Sequence, residues 1–291
     1  MQASKERLYR HVEFLTELNP ARNYENLASI NKAADYIKQE FIKAGAQPTE
    51  QTWKAMGNEY RNIIATYNPG KKSRLVVGAH YDVAGDQPGA DDNASAVAGL
   101  LESARMIFTE KPELDYTIEF VAYSLEEPPF YGSENMGSYV HAKSLSDSKA
   151  DVIGMLCYEM IGYFSDEPGS QPFPEPSMAE RFSDIGNYIV VLGIEKYADF
   201  TKDVFSKMKD VNLKEQYAVG IEHVNFPMQG GLASMSDNDN YWTFGYPAVM
   251  ITDTAFVRNS NYHLQSDTID TLNFDRMTGV VQRATEAMLK F

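Results

Sequence analysis

The chain contains 291 residues, of which 43% are hydrophobic and 12% are aromatic, so it can bury a substantial core. Its formal net charge of −15 at pH 7 argues against a nucleic-acid partner, because such partners are bound through basic surfaces. Cys157 is the only cysteine, which excludes an internal disulfide and a zinc site built from thiolates. These properties favour an acidic soluble enzyme.

Nothing in the sequence suggests a membrane segment or an export signal. No apolar run approaches the ~18 residues that would span a bilayer, and the first ten residues are polar and charged. We therefore expect no membrane partner. The compartment stays open, because a secretory or periplasmic precursor trimmed of its signal peptide would have the same sequence.

Helix and strand patterns alternate in the first half of the chain. Apolar residues recur at helical spacing over residues 8–18, up to Asn19-Pro20, and over residues 30–41, before Gly45. A further helical segment covers residues 95–108. Strand-like apolar runs occupy residues 60–67, 74–79, 116–123 and 152–158. This alternation predicts a layered α/β fold with a largely parallel or mixed sheet.

The second half opens with an irregular segment. Residues 163–186 are rich in Pro, Gly, Ser and charged residues, which predicts a long loop. The regular patterns then resume as strands at residues 188–192 and 247–252 and helices at residues 195–208 and 274–289. Since no internal repeat is present, we predict one domain over residues 1–291.

Acidic or histidine side chains follow three of the predicted strands. His80 and Asp82 come after the strand at residues 74–79, Glu126 and Glu127 follow the next strand, and Glu159 ends another. Ligands of open α/β sheets bind beyond the carboxyl ends of the strands, so these side chains are predicted to meet in one crevice. One such strand end is commonplace, whereas three together indicate a site.

The residue types in this crevice are those that zinc prefers when no thiolate is available. Imidazole and carboxylate ligands are supplied by His80, Asp91, Glu127, Glu159 and His263. Two ions sharing one carboxylate would polarise a scissile carbonyl and lower the pKa of a bound water, leaving Glu126 free as the general base. Asp82 is expected to orient the imidazole of His80.

Each signal also has an ordinary explanation. A single histidine at a strand end is usually a hydrogen-bonded core or surface residue. A pair of glutamates is usually solvated, but Glu126-Glu127 follows an apolar strand and precedes Pro128-Pro129, which restricts the backbone. His11, His141 and His223 have no comparable setting, and we predict no role for them.

Four sequence segments resemble the motifs of the co-catalytic di-zinc aminopeptidases, a family that includes glutamate carboxypeptidase II and the glutaminyl cyclases. They are LVVGAHYDVAGDQPGADDNASAVAGLLE, SLEEPPFYGSENMGSYV, YEMIGY and YHLQSDTIDTLNFDRM, in the family's order over residues 75–277. The resemblance implies a zinc exopeptidase fold, a three-layer α/β/α sandwich around a mixed, mostly parallel sheet.

The resemblance also implies a role for each residue. His80 and His263 would each cap one zinc ion, and Glu127 and Glu159 would complete the coordination. Asp91 would bridge both ions, with Asp92 following it across a cis peptide bond. Glu126 would be the general base, and Tyr262 would hydrogen-bond the oxyanion of the tetrahedral intermediate.

Three positions depart from the family's commonest pattern. Glu159 stands where aspartate is usual, which keeps the charge on a longer arm. Ala96 replaces a glycine, and Asn238 replaces a histidine, which weakens any role for Asp237 in the site. None of these changes removes an essential functional group.

The expected function is hydrolysis of the N-terminal peptide bond of peptides with a free N-terminus, through a metal-bound hydroxide and with Glu126 as base. A glutaminyl-peptide cyclase acting around one zinc ion is the main alternative, and a non-catalytic receptor-like domain is another. An intact Glu126 argues against the latter. The walls of the substrate pocket are predicted to come from residues 163–186 and 222–236.

Overall fold

The computed structural model describes all residues from 1 to 291. Eight strands form a single sheet: β1 (Thr49–Ala55), β2 (Asn58–Tyr67), β3 (Ser73–His80), β4 (Thr117–Tyr123), β5 (Asp151–Glu159), β6 (Tyr188–Ile194), β7 (Gly220–Phe226) and β8 (Ala248–Thr252). Seven α-helices accompany the sheet: α1 (Lys5–Thr16), α2 (Leu27–Ala44), α3 (Ala96–Glu110), α4 (Gly137–Asp147), α5 (Ala198–Lys209), α6 (Asn238–Thr243) and α7 (Phe274–Ala287). No helix has the length and apolar character needed to cross a membrane.

The sheet is mixed, with a parallel centre. Its strand order is β1-β2-β4-β3-β5-β8-β6-β7. Strands β4, β3, β5 and β8 run parallel, whereas β1 and β2 pair antiparallel on one side and β6 opposes β8 on the other. The carboxyl ends of the four central strands therefore open at the same edge of the sheet.

Helices cover both faces of the sheet and make three layers. The larger apolar core contains buried side chains of α1, α2, α3, α5 and α7, and the smaller one contains side chains of α4 and α6. This arrangement confirms the predicted layered α/β fold. Apolar residues on both faces explain why the central strands read as continuous apolar runs.

The sequence patterns did not predict two of the strands and two of the helices. Strands β1 and β7 lie at the two ends of the sheet, and their side chains are mostly exposed or half-buried. An edge strand buries few side chains, so it shows little apolar periodicity. Helices α4 and α6 are short and pack on the smaller core. Residues 163–186 contain only one short 3-10 turn, as expected for a loop.

Capping residues next to the helices set the start of α1 and the end of α2. The side chain of Ser4 accepts a hydrogen bond from the Arg7 amide and caps α1. Gly45 ends α2 with a φ of 100°, a backbone conformation that glycine adopts without steric cost. The intervening linker contains Arg22, which is buried beneath the site described below.

Two isoleucines of α2 provide a test of the larger core. Ile37 is fully buried, whereas 44% of Ile42 is exposed. Ile37→Ala should lower the free energy of unfolding by about 2–5 kcal/mol, because it removes buried contacts and leaves a cavity. Ile42→Ala, the matched control, should change it by no more than about 0.5 kcal/mol. Urea titration followed by circular dichroism measures both, and equal losses would contradict the assigned burial.

Candidate metal and active site

The predicted side chains meet at the carboxyl edge of the central strands. His80 is the last residue of β3 and Glu159 the last residue of β5, while Glu126 and Glu127 follow β4 after a turn of two residues. His263 arrives from the loop between β8 and α7. All of these side chains are buried except that of His263, which is 30% exposed. The parallel topology therefore brings together the residues expected from strand ends.

Asp92 lies at the centre of this group and faces both histidines. Its Oδ1 is 3.5 Å from His80 Nε2, and its Oδ2 is 3.1 Å from His263 Nε2. Glu159 Oε2 lies 3.3 Å from the same His80 nitrogen. Glu127 Oε2 lies 3.3 Å from the His263 nitrogen. Two three-residue clusters with metal-ligand chemistry thus share the carboxylate of Asp92.

Asp91 does not occupy the position that the sequence analysis gave it. Its Oδ1 accepts a hydrogen bond from the Gly162 amide at 3.0 Å, and its Oδ2 accepts one from the Asn259 side chain at 2.7 Å. Asp91 is therefore turned away from the histidines, and the central position belongs to Asp92. The cis peptide bond was also expected one residue too early, since it joins Asp92 to Asn93.

Asp82 has a different partner from the one predicted. Its Oδ1 is 3.7 Å from His80 Nδ1, beyond hydrogen-bond distance. Its two oxygens instead accept the backbone amides of Glu126 and Glu127, each at 3.1 Å. Asp82 thus fixes the backbone of the glutamate pair. The position of Asp82 two residues after His80 in the sequence does not indicate this contact.

Several buried polar atoms of the clusters have no hydrogen-bond partner. They are Asp92 Oδ2, Glu127 Oε1 and His263 Nε2. Unpaired buried acceptors are costly, and native proteins rarely keep them without a ligand, an ion or water. Nitrogen and oxygen donors from two histidines and several carboxylates fit a divalent cation such as zinc.

The electrostatics of the site also fit a bound divalent cation. Burial raises the pKa of Glu127 to about 7, helped by the neighbouring charge of Asp92. Burial opposes a charge on His263, but its contacts with Asp92 and Glu127 outweigh that cost and raise its pKa to about 10. A cation bound here would compete with protons for these groups, because metal ligands bind in their deprotonated form.

Ser236 and Asp237 lie at the edge of the site, although the sequence analysis assigned Ser236 no role and gave Asp237 little weight. Ser236 donates a hydrogen bond to Glu159 Oε2 at 2.6 Å. Asp237 is fully buried, both of its oxygens are unpaired, and burial raises its pKa to about 7. The departure at Asn238 led us to discount Asp237, yet Asn238 turns its amide to the Ala233 carbonyl. The Ser236-Asp237-Asn238 segment was the sequence signal that could have indicated both residues.

An apolar cavity of about 110 Å³ opens beside the clusters. Its lining comes partly from both predicted wall segments, including Phe173 and Phe182 from the first and Phe226 and Met235 from the second. Of the 20 lining residues, 15 are hydrophobic, and Glu159 is the only charged one. The site therefore joins a charged centre to a pocket suited to an apolar side chain.

Tyr262 connects the cavity to the charged centre. Its ring lines the cavity and stacks on the His263 imidazole, with centroids 3.8 Å apart and planes inclined by 16°. The Phe256 ring is a second aromatic neighbour, with its centroid 5.5 Å from that of Tyr262. Burial raises the pKa of Tyr262 far above its usual value, so its hydroxyl stays protonated and available as a donor.

Sequence comparisons extend over nearly the whole chain. The model of peptidase family M28 matches residues 62–289. The uncharacterised protein YfbL of Escherichia coli K12 is 40% identical over 295 residues, which cover 96% of this chain and 86% of that protein. A probable leucine aminopeptidase of Trichophyton verrucosum is 29% identical over 292 residues, which cover 94% of this chain and 69% of that protein.

Solved structures share the fold. A Zn-dependent exopeptidase from Parabacteroides distasonis has a TM-score of 0.71 at 17% identity, covering 100% of this chain and 99% of that one. A glutaminyl cyclase from Bacteroides thetaiotaomicron, bound to N-acetylhistamine, has a TM-score of 0.72 at 20% identity, with the same coverage. At such low identities the likeness concerns the fold alone.

The two neighbouring aspartates can be separated experimentally. Asp92→Asn removes the charge and one acceptor between the histidines, so it should weaken zinc binding more than about tenfold, or ~1.4 kcal/mol. Asp91→Asn is the matched control, since its side chain faces Gly162 and Asn259. It should lower stability but keep zinc affinity close to wild type. Competition with a chromophoric chelator measures both affinities, and a greater loss in Asp91→Asn would reverse the assignment.

Proposed function

This chain belongs to peptidase family M28, and on that basis we propose that it is a zinc-dependent aminopeptidase, hydrolysing the N-terminal bond of peptides. One observation carries the proposal: the two oxygens of Asp92 face two different histidines, each with a further carboxylate beside it. That arrangement suits two cations sharing one carboxylate. The name of the Trichophyton verrucosum relative supports the same activity.

The proposed ligands divide into two sets around Asp92. One set contains His80 and Glu159, and the other contains His263 and Glu127. Zinc held there would supply Lewis-acid polarisation of the scissile carbonyl and acidify a water molecule. The backbone contacts of Asp82 hold the second set by fixing Glu127. Ser236 does the same for the first set through its hydrogen bond to Glu159.

Glu126 is the proposed general base. It lies outside the two sets that share Asp92, although its Oε2 is 3.8 Å from His80 Nε2. Its carboxylate would take the proton of the attacking water and pass it to the departing amine. Burial raises the pKa of Glu126 well above its usual value, which favours holding that proton between the two steps.

Tyr262 is the proposed oxyanion donor. Its hydroxyl belongs to a ring that stacks on His263 and contacts Phe256, and these contacts would restrict the donor before substrate arrives. A preorganised donor stabilises the developing negative charge without reorganising during the reaction. Because it lines the cavity proposed to receive the N-terminal side chain, its hydroxyl would lie near the bond that follows that residue.

The cavity supports a preference for an apolar N-terminal residue. An aliphatic or aromatic side chain would bury its surface against residues such as Leu192, Phe226 and Met250. The substrate's ammonium group would lie near Glu159, where opposite charges attract more strongly than in water. A free α-amino group would therefore contribute directly to binding.

Glutaminyl-peptide cyclisation is the second candidate, because the fold is shared with solved cyclases. A cyclase would place the glutamine carboxamide at the site of the N-terminal side chain. Burying an amide in an apolar cavity costs free energy unless it is hydrogen-bonded. The lining offers mostly hydrophobic groups, which favours the aminopeptidase.

Substitution of the two adjacent glutamates tests their proposed roles. Glu126→Gln should keep its zinc content but lower kcat by roughly 10²–10⁴, the usual contribution of a positioned general base. Glu127→Gln should instead lose zinc affinity, because it removes a ligand charge. Zinc content by atomic absorption and kcat with a leucyl anilide measure the two effects.

Each variant is the control for the other, since both remove one charge from neighbouring positions of the same buried turn. Circular dichroism confirms that each variant is folded. The assignment of roles is wrong if the two variants lose zinc and activity in the same proportion.

Blocking the substrate's amine tests the exopeptidase proposal. Leucyl anilide should be hydrolysed with a kcat/KM at least about tenfold above N-acetyl-leucyl anilide, a difference of ~1.4 kcal/mol. Acetylation removes the cation that Glu159 would attract and adds bulk at the same point. Initial rates at pH 6 to 9 provide the measurement.

Three further measurements distinguish a zinc aminopeptidase from the alternative functions.

Enzyme stripped of metal by a strong chelator should be inactive, and added zinc should restore its activity. Glutamyl anilide should be a poorer substrate than leucyl anilide, since the cavity would desolvate its charge. Ammonia release from an N-terminal glutamine peptide, without hydrolysis of leucyl anilide, would instead establish the cyclase.

A further inference from the structure

Arg22 is a buried cation that neither the sequence motifs nor the family match includes. It lies in the linker between α1 and α2, outside the matched residues 62–289, and only 1% of it is exposed. A buried guanidinium is normally paired with a carboxylate. Arg22 instead gives its hydrogen bonds to backbone carbonyls.

These hydrogen bonds fasten both ends of one segment. Arg22 Nε donates to the Tyr81 carbonyl at 2.9 Å, one residue after His80. Nη1 donates to the Pro88 carbonyl at 2.6 Å, and Nη2 to the Gly89 carbonyl at 2.7 Å, just before Asp92. The planar fork of the guanidinium therefore spans a loop that leads from one proposed ligand to the other.

The same guanidinium ties this loop to the first helix. Nη1 also donates to the Leu15 carbonyl in α1 at 3.1 Å. The loop is tightly packed at this point, because a methyl group added to Gly89 would meet Val83 and the Asp92 carbonyl. A displaced Arg22 would therefore leave the Tyr81 and Pro88 carbonyls unpaired, and the Gly89 carbonyl with only the Ala94 amide, in a space too small for easy rearrangement.

Asp267 holds the other side of the same turn. Its carboxylate oxygens accept the amides of Asp91 and Asp92 at 2.9 and 3.0 Å, and its carbonyl accepts the Ala90 amide at 3.1 Å. Arg22 thus binds the carbonyls that precede the turn, and Asp267 binds the amides within it. Between them they set the direction in which Asp92 projects.

Arg22 also places a positive charge behind the acidic cluster. Burial lowers its pKa to about 10, opposed by the negative charges of Asp267, Asp92 and Asp82. The group therefore remains charged at neutral pH. Its charge is directed to no single carboxylate and acts on the whole loop.

We propose that Arg22 is a positioning residue of the metal site: by fastening the carbonyls of Tyr81, Pro88 and Gly89, it holds Asp92 where its oxygens reach both histidines. The inference rests on the proposed function only in taking Asp92 as a zinc ligand. It assigns the N-terminal helices a part in metal binding, beyond their part in the apolar core.

Substitution of Arg22 by lysine tests this geometry at constant charge. A single ammonium group cannot span the Tyr81 and Gly89 carbonyls, so Arg22→Lys should weaken zinc binding about 10–100-fold, the range for groups that orient metal ligands. Arg22→Met should weaken it at least as much. Chelator competition on the folded proteins gives the affinities, independently of any activity.

Arg283 supplies a matched control. Its guanidinium also binds backbone carbonyls, those of Met208, Lys209 and Val211, but it lies on α7 away from the metal ligands. Arg283→Lys should lower the melting temperature and leave zinc affinity unchanged. Wild-type zinc affinity in folded Arg22→Lys, with only a lower melting temperature, would overturn the proposal.

A second measurement uses the wild-type chain and does not depend on the variants folding. Coupling between two sites is reciprocal, so a loop that supports zinc binding must itself be stabilised by zinc. Zinc should therefore slow amide hydrogen exchange in peptides covering residues 15–23 and 81–90, and leave peptides of α5 unchanged. Unchanged exchange in residues 15–23 would overturn the proposal. Failure of the wild type to bind zinc would instead refute the proposed function.

Discussion

Confinement of several carboxylates in one buried space is the constraint on which the rest of the structure depends. Asp92, Glu126, Glu127 and Glu159 lie within reach of one histidine or the other, and all four are buried. Like charges at such separations repel strongly where water is excluded. The fold offsets that repulsion with imidazoles and backbone amides, and the ligand types present suit a cation. Burial and neighbouring carboxylates raise the pKa of Glu126 well above its usual value and that of Glu127 to about 7.

Backbone amides orient the acids without adding side chains to the crevice. Asp82 accepts the two successive amides of the glutamate pair, and Asp267 accepts those of Asp91 and Asp92. Each of these aspartates fixes a turn by binding two neighbouring donors, a geometry that allows little rotation. Arg22 donates hydrogen bonds to the backbone carbonyls that precede the second of these turns. Parallel strands bring the turns to one edge, and these contacts decide which side chains face inward.

The proposed metal centre and the apolar cavity come from different parts of the chain. Most of the charged centre follows β3, β4 and β5 in the middle of the sheet, and His263 comes from the loop after β8. The apolar cavity is lined largely from β6, β7 and β8 and from the loop at residues 163–186, towards the other end of the sheet. Glu159 and Tyr262 lie where the two regions meet. Changes in the loop would therefore alter the proposed side-chain preference without moving the proposed metal ligands.

The sequence by itself determined the layered α/β fold, the strand ends that supply the site and the segments that line the cavity, because apolar periodicity and strand-end chemistry are local properties. Only the tertiary structure decided between Asp91 and Asp92, since the backbone leaves the helical conformation at Asp92 and Asn93 and is held there by the distant Asp267. It likewise gave Asp82 its backbone partners and revealed Arg22. These hydrogen bonds join residues 44 to 176 positions apart, so no local sequence pattern indicates them.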